Sequence, residues 1–188
     1  MFKKLTDKSG FSLFELIVTL SIFGVMMAIA IPSFLSYRPT MRIKGAARDI
    51  TTILQWSRMK AVSENNRMEI QFSPANKTYT VFDDNNSDGD VSTDTAIRTS
   101  TLPDDISFGI GTTVTKKAST NIGPAHTDCL TFNVDSCNTD DSTSFSSNGT
   151  ANNGTIYLVN TKDECFAVIV DSQGRVRIRK WAGSDWVD

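Results

Sequence analysis

Residues 10–35 read GFSLFELIVTLSIFGVMMAIAIPSFL, and the segment 16–35 within them holds twenty residues without a formal charge. An α-helix of twenty residues is about 30 Å long, which is the thickness of the hydrocarbon core of a bilayer. The residues before it are polar and basic, with Lys3, Lys4 and Lys8 against Asp7. Because basic flanking residues stay on the cytoplasmic side, we expect the helix to cross the membrane once, with the rest of the chain outside.

One carboxylate, that of Glu15, lies near the start of this apolar segment. A carboxylate at membrane depth costs about 2–4 kcal/mol to insert, so its presence indicates a function that needs a partner group. An ordinary secretory signal peptide cut near Ala28-Ile29-Ala30 is the alternative. The apolar segment is longer than the roughly 7–15 residues of a signal-peptide core, and Glu15 does not fit such a core, so we favour a retained helix.

The segment Gly10-Phe11-Ser12-Leu13-Phe14-Glu15-Leu16 resembles the processing motif of type IV prepilins. The resemblance implies that prepilin peptidase cuts between Gly10 and Phe11 and methylates the new amine of Phe11. That amine is then expected to pair in the lipid with Glu15 of a neighbouring subunit, so that each buried charge finds a partner only in the filament. Pro32 resembles the helix-kinking proline of the same family, which a membrane helix tolerates.

The chain after the apolar segment predicts an α+β domain. Apolar residues recur at helical spacing between Ile43 and Ala61, which indicates a core-facing stripe, and Asn65-Asn66 ends the helix. We expect one long N-terminal helix, bent near Pro32 and Pro39 and packed on antiparallel sheet: the type IV pilin fold. Predicted strands include 68–72, 78–82, 97–102, 106–110, 129–134, 155–159, 166–170 and 175–181, and residues 137–153 are predicted to be mainly loop.

The predicted organisation is a cleaved leader (1–10), a transmembrane and assembly helix (11–37), the amphipathic half of the helix (38–66) and a β-rich globular domain (67–188). The segments FDDNNSDGD, LPDDISF, FSSNGTA and FAVIVDSQGRVRI resemble the H-type pseudopilins and T-type minor pilins, the GspH/FimT family.

This resemblance implies a minor pilin of a bacterial type IV pilus system, which primes or caps the filament and contacts DNA for uptake. Its expected partners are other pilins or pseudopilins, prepilin peptidase, the inner membrane and DNA, with the globular domain in the periplasm. The alternative is an H-type minor pseudopilin of a type II secretion system. A soluble binding module on an uncleaved anchor is a third possibility.

The run from Gly174 to Lys180, GRVRIRK, is the candidate DNA site. Side chains alternate along a strand, so Arg175, Arg177 and Arg179 are expected on one face, about 7 Å apart, with Val176 and Ile178 facing the core. The GRxR pattern is similar to one associated with DNA capture in T-type minor pilins. Lys180, Trp181 and Trp186 follow, and the two indoles are expected to stack on bases or on Arg. The competing interpretation is that these arginines protect an edge strand and pair with Asp163, Asp171 or Asp185.

Two further sets of residues are candidate sites. Asp84, Asn86, Asp88 and Asp90 match the first half of a calcium-binding loop, but Thr95 stands where the bidentate Glu belongs, so a solvated turn is the competing interpretation. Of the three cysteines, Cys129 and Cys137 are close enough in sequence to form a disulfide after export, which leaves Cys165 reduced.

Composition argues against other classes of protein. The chain carries 19 basic and 21 acidic residues, and removal of the leader leaves 16 and 20, which does not fit a general nucleic-acid binder. His126 is the only histidine, and we find no nucleophile–base pair or phosphate loop. We therefore expect no enzyme and no cofactor other than calcium.

The processing motif makes a direct prediction. The mature chain should begin at Phe11 with a methylated amine, and Gly10→Val should block cleavage because a β-branched side chain replaces the smallest residue at the cut site. Mass spectrometry of the N-terminus of membrane-extracted protein measures both. An intact Met1, or a start at Ile31 as expected of signal peptidase, would contradict it.

Overall fold

The computed structural model describes residues 10–86, 90–119, 129–132 and 141–188. Its first element is helix α1, Leu13–Glu64, which continues through Pro32 and Pro39 without interruption. The helix ends because Asn65 adopts a left-handed conformation (φ 50°), and the N–H of Asn66 then donates to the carbonyl of Ala61 at 3.1 Å. The chain divides into two compact units after Arg38.

Nine strands follow the helix in the described residues and form two antiparallel sheets. They are β1 (Arg67–Ser73), β2 (Thr78–Asp84), β3 (Thr95–Thr101), β4 (Ile106–Phe108), β5 (Asp141–Phe145), β6 (Gly154–Asn160), β7 (Cys165–Val170), β8 (Val176–Trp181) and β9 (Trp186–Val187). The first sheet has the order β3-β2-β1-β5, and the second has the order β4-β6-β7-β8-β9. One long N-terminal helix with antiparallel sheet confirms the predicted fold class.

The main core lies between the second half of α1 and the two sheets. The predicted stripe from Ile43 to Ala61 is buried along its length and joins the inward residues of β1, Met68, Ile70 and Phe72. These alternate with Glu69 and Gln71 on the opposite face, where Glu69 is also buried and Gln71 is partly exposed. The residues that the helical pattern and the strand pattern predict to be buried therefore belong to the same core.

A second apolar cluster covers the other face of the second sheet. Residues from the segment 110–118 pack there on Tyr157 and Ile169, together with Trp181 and Trp186. The backbone N–H of Ala118 donates to the hydroxyl of Tyr157 at 3.2 Å. Strands β6 and β7 are consequently buried on both faces, which explains why β7 reads as a continuous apolar run.

Two details of the strand prediction were wrong. Residues 141–145, predicted as loop, form β5 and pair with β1 from Asp141↔Phe72 to Phe145↔Met68. The local sequence DSTSF is polar, and its strand conformation comes from this long-range pairing. The predicted strand at 129–134 is reduced, in its described part, to a single bridge between Leu130 and Ile156.

Arg58 holds two turns of the globular domain against α1. Its Nε donates to the carbonyl of Gly149 at 3.0 Å, and its Nη2 donates to the carbonyl of Gln173 at 3.1 Å. At Gly174 the backbone is left-handed (φ +71°), and a Cβ there would lie 2.3 Å from the carbonyl oxygen of Gly149. The glycine of the GRxR pattern is thus required by the packing of these turns.

This clamp predicts a stability effect. Arg58→Met should lower the free energy of unfolding by about 2–3 kcal/mol, because two carbonyls lose a charged donor that no neighbour replaces. Urea unfolding of the purified chain in detergent, followed by tryptophan fluorescence, measures it. Arg48→Met is the matched control, because Arg48 is exposed on the same helix; equal effects of the two substitutions would contradict the clamp.

Candidate functional site

The start of α1 places Glu15 in the first helical turn. Ser12 is the N-cap: its Oγ accepts the N–H of Phe14 at 3.3 Å, and its carbonyl accepts the N–H of Leu16 at 3.1 Å. Ser12 and Glu15 have the spacing of a capping box, a signal that the sequence carries and that our sequence analysis did not use. Within the described residues, the carboxylate of Glu15 has no ion-pair partner.

The apolar segment that follows Glu15 is exposed throughout. Val25 is 65% exposed and Ile29 is 71% exposed. This helix is long and apolar enough to cross a membrane, and its most apolar 18-residue stretch is not buried by the described part of the chain. Burial of these side chains therefore requires lipid or other chains.

The arginines of the GRVRIRK run do not form one uniform open track. Arg175 precedes β8, and its Nε donates to Oδ2 of Asp171 at 2.8 Å. Arg179 is largely covered: its Nε lies 2.9 Å from Oδ1 of Asp188, and its Nη1 donates to the carbonyl of Ala118 at 2.9 Å. Of the three, only Arg177 is both exposed and, within the described residues, without a carboxylate partner.

The remaining groups of this region have other roles. Lys180 lies on the opposite face of β8, with its Nζ 5.9 Å from the centre of the Phe166 ring. Trp181 and Trp186 are buried against each other, with ring centroids 5.5 Å apart, so the suggestion that they stack on bases was wrong. Val176 and Ile178 pack on the main core as predicted.

Asp171 organises the turn before β8. Its Oδ1 accepts the backbone N–H groups of Gln173 and Arg175 at 3.0 and 2.9 Å. These hydrogen bonds, foremost that from the N–H of Arg175, hold the pKa of Asp171 below its usual value. Of the three aspartates proposed as arginine partners, Asp171 takes that role; Asp163 instead binds Thr112, and Asp185 binds Lys116.

The candidate calcium loop is only partly described. Asp84 is fully buried, and its Oδ2 lies 3.2 Å from Nε of Arg67. Oδ1 of Asp90 accepts the N–H of Ser92 at 2.9 Å, and hydrogen bonding to Ser92 lowers the pKa of Asp90. Asp88 lies outside the described residues. Among those that are described, no three acidic, thiol or imidazole side chains gather to hold a metal ion, so calcium binding stays a prediction.

Cys129 is disulfide-bonded, and Cys165 is a buried free thiol. Burial raises the pKa of Cys165 to about 12, so the group stays protonated and unreactive in the folded chain. Cys137 lies outside the described residues, and the pairing of Cys129 with Cys137 stays a prediction.

Comparison with known proteins follows the same division of the chain. The family model described as Type II transport protein GspH matches residues 46–174, and the model described as Prokaryotic N-terminal methylation motif matches residues 5–31. No match is found among curated proteins.

Two solved structures are similar in fold. One is the type IV minor pilin FimU of Pseudomonas aeruginosa strain PAO1, at 14% identity and a TM-score of 0.50, over 81% of this chain and 97% of that one. The other is the minor pseudopilin EpsH from the Type 2 Secretion System of Vibrio cholerae, at 12% identity and a TM-score of 0.49, over 73% of this chain and 95% of that one.

The arginine geometry predicts unequal effects on DNA binding. If this face binds duplex DNA, Arg177→Gln should remove most of the binding, and Arg179→Gln should instead lower stability because its guanidinium is committed to Asp188 and Ala118. With one or two phosphate contacts, the log–log salt slope should be about −1 to −2. Fluorescence anisotropy with labelled duplex DNA tests this. Loss of binding in Arg179→Gln at unchanged stability would contradict it.

Proposed function

The chain belongs to the GspH family of minor pilins and pseudopilins of type IV pilus and type II secretion systems, and from this premise we propose that it is a minor pilin of a type IV pilus system. It is made as an inner-membrane precursor with a periplasmic globular domain, is cut between Gly10 and Phe11, and enters the filament through α1. Members of this family are structural subunits that assemble with other pilins or pseudopilins.

The observation that supports the proposal most directly is the exposure of the Glu15 carboxylate on an apolar helix. It is the only charged side chain between Phe11 and Tyr37, and it lies exposed in the first turn of a helix whose apolar side chains are exposed as well. After cleavage, the amine of Phe11 is a second charge at the same end of the helix. Two copies of the chain can satisfy both charges if the amine of one meets Glu15 of the other, and this pairing sets their axial offset.

We propose contact with DNA through fewer arginines than the sequence suggested. Arg177 supplies an exposed cation on the outer face of β8, and Arg175 is exposed beside it, although it is paired with Asp171. Such a site supports weak, sequence-independent contact with phosphates.

The internal pairing of Arg175 and Arg179 favours a second candidate, the H-type minor pseudopilin of a type II secretion system. In that function the arginines stabilise the turn and the edge of β8, and no nucleic acid is involved. Neighbouring genes distinguish the two: fimbrial minor-pilin genes support the first candidate, and a secretion operon supports the second.

The pairing of Glu15 is tested by assembly. Glu15→Leu and Glu15→Gln should both insert and be processed, but should be depleted from sheared filaments, because removal of one member of a buried charge pair costs about 3–5 kcal/mol. Immunoblots of sheared filaments and of membranes measure incorporation and processing separately.

Thr19→Val is the control, because the hydroxyl of Thr19 donates to the carbonyl of Leu16 in its own helix at 2.8 Å and needs no partner subunit. Normal incorporation of Glu15→Leu, or equal depletion of Thr19→Val, would rule out the charge-pairing mechanism.

A further inference from the structure

Strand β3 is an edge strand of the first sheet. It pairs with β2 on one side, and no strand of the described residues pairs with the other. Six of its seven residues are exposed. Threonine and isoleucine, which favour extended conformation, occupy the alternate positions Thr95, Ile97, Thr99 and Thr101.

Other sheet edges among the described residues are guarded against pairing: β5, at the opposite edge of the same sheet, is bridged at Phe145 by Ala151. Strand β4 is only three residues long. Strand β9 covers β8 at Lys180 and Trp181 alone, and the uncovered part of β8 carries Arg177 and Arg179. Short length, closely spaced charge and a β-bulge are common ways in which proteins protect edges. Strand β3 has seven residues and a single charged side chain, Arg98, so its length and charge protect it little.

A bulge limits the usable part of this edge. The register shifts between Val81 and Phe82, which leaves Ile97 as the extra residue on β3. From Arg98 to Thr101 the pairing with β2 is regular, and the hydroxyls of Thr99 and Thr80 lie 3.1 Å apart on the outer face. The regular edge is therefore Arg98–Thr101.

A groove lies beside this regular edge, between β3 and α1. Asp49, Thr52 and Ile53 of α1 form one wall, and Arg98, Ser100 and Thr101 form the other, with Tyr79 between them. Asp49 and Arg98 have no ion-pair partners within the described residues, although both line this groove. A strand added beyond β3 would direct alternate side chains over the groove, where these two charges can distinguish among them.

We propose that the edge Arg98–Thr101 and the adjoining groove bind an extended segment of a different protein chain as a further strand of the first sheet. The bound segment carries a carboxylate that pairs with Arg98. A second copy of this chain fits less well, because its own β3 carries no acidic side chain that could pair with Arg98. The inference does not depend on whether the filament serves a pilus or a secretion system.

The test uses fluorescein-labelled peptides and the full processed chain in detergent. The probe is Thr-Val-Thr-Glu-Thr-Val-Thr, which reads the same in both directions, and its counterpart has Lys at the centre. Anisotropy should show the Glu peptide binding about fivefold more tightly than the Lys peptide. The reason is that Arg98 attracts the Glu side chain and repels the Lys side chain. In Arg98→Glu the order should reverse. A fully N-methylated Glu peptide should bind at least about tenfold more weakly, because it cannot donate to the strand edge.

Lys44→Glu makes the same change of charge on the exposed surface of α1 and should leave the preference for the Glu peptide unchanged. The proposal is overturned if neither peptide binds, if Arg98→Glu retains the original order, or if N-methylation has no effect. A dimer of the unliganded chain that Arg98→Glu weakens would identify a second copy as the occupant and would also overturn it. None of these outcomes bears on the pairing of Glu15, which the filament assay tests.

Discussion

The structure depends on one constraint: the first half of α1 presents an apolar surface and a carboxylate that its own chain does not cover. The hydroxyls of Thr19, Ser21 and Ser33 each donate to a carbonyl of their own helix, so these hydroxyls need no hydrogen-bond partner outside the helix. The carboxylate of Glu15, in contrast, has no ion-pair partner among the described residues of its own chain. Lipid can cover the apolar side chains, but a charge in lipid needs a counter-charge. This asymmetry is the basis of our proposal that the helix anchors the chain in a membrane and joins other subunits.

The second half of α1 differs from the first half, because its apolar stripe is covered by the sheets of the same chain. Arg58 shows how closely the two are joined, since one guanidinium binds the carbonyls of Gly149 and Gln173 in turns that are distant in sequence. Gly174 permits the approach of those turns. Part of the GRxR pattern that suggested DNA contact is therefore explained by packing, and Arg177 remains the residue that packing does not explain.

The second sheet also changes how its charged residues are understood. A segment between β4 and β5 covers its outer face, so Trp181 and Trp186 are core residues rather than surface aromatics. Arg179 is enclosed by the same cover through the carbonyl of Ala118. The contrast with β3 is physical: β9 covers part of β8, and two arginines lie on the part that it leaves uncovered, whereas β3 is an edge strand of the first sheet and carries one charged side chain. Within the described residues, this edge and the adjoining groove with its two opposite charges form the surface for which we propose a protein partner.

The sequence by itself determined the long helix, its division into an anchoring and a packing half, its end at Asn65, and most of the strands. Those features follow from periodicity, apolar length and turn residues, all of which act over a few neighbouring positions. Tertiary structure decided the strand conformation of the polar segment Asp141–Phe145, the burial of the two tryptophans and the partners of Arg58, Arg175 and Arg179. Alternation placed Arg177 and Arg179 on the face opposite Val176 and Ile178 correctly, but it cannot show which carboxylates and carbonyls the fold brings to the arginines. Those contacts join residues far apart in the chain, and a local pattern carries no information about them.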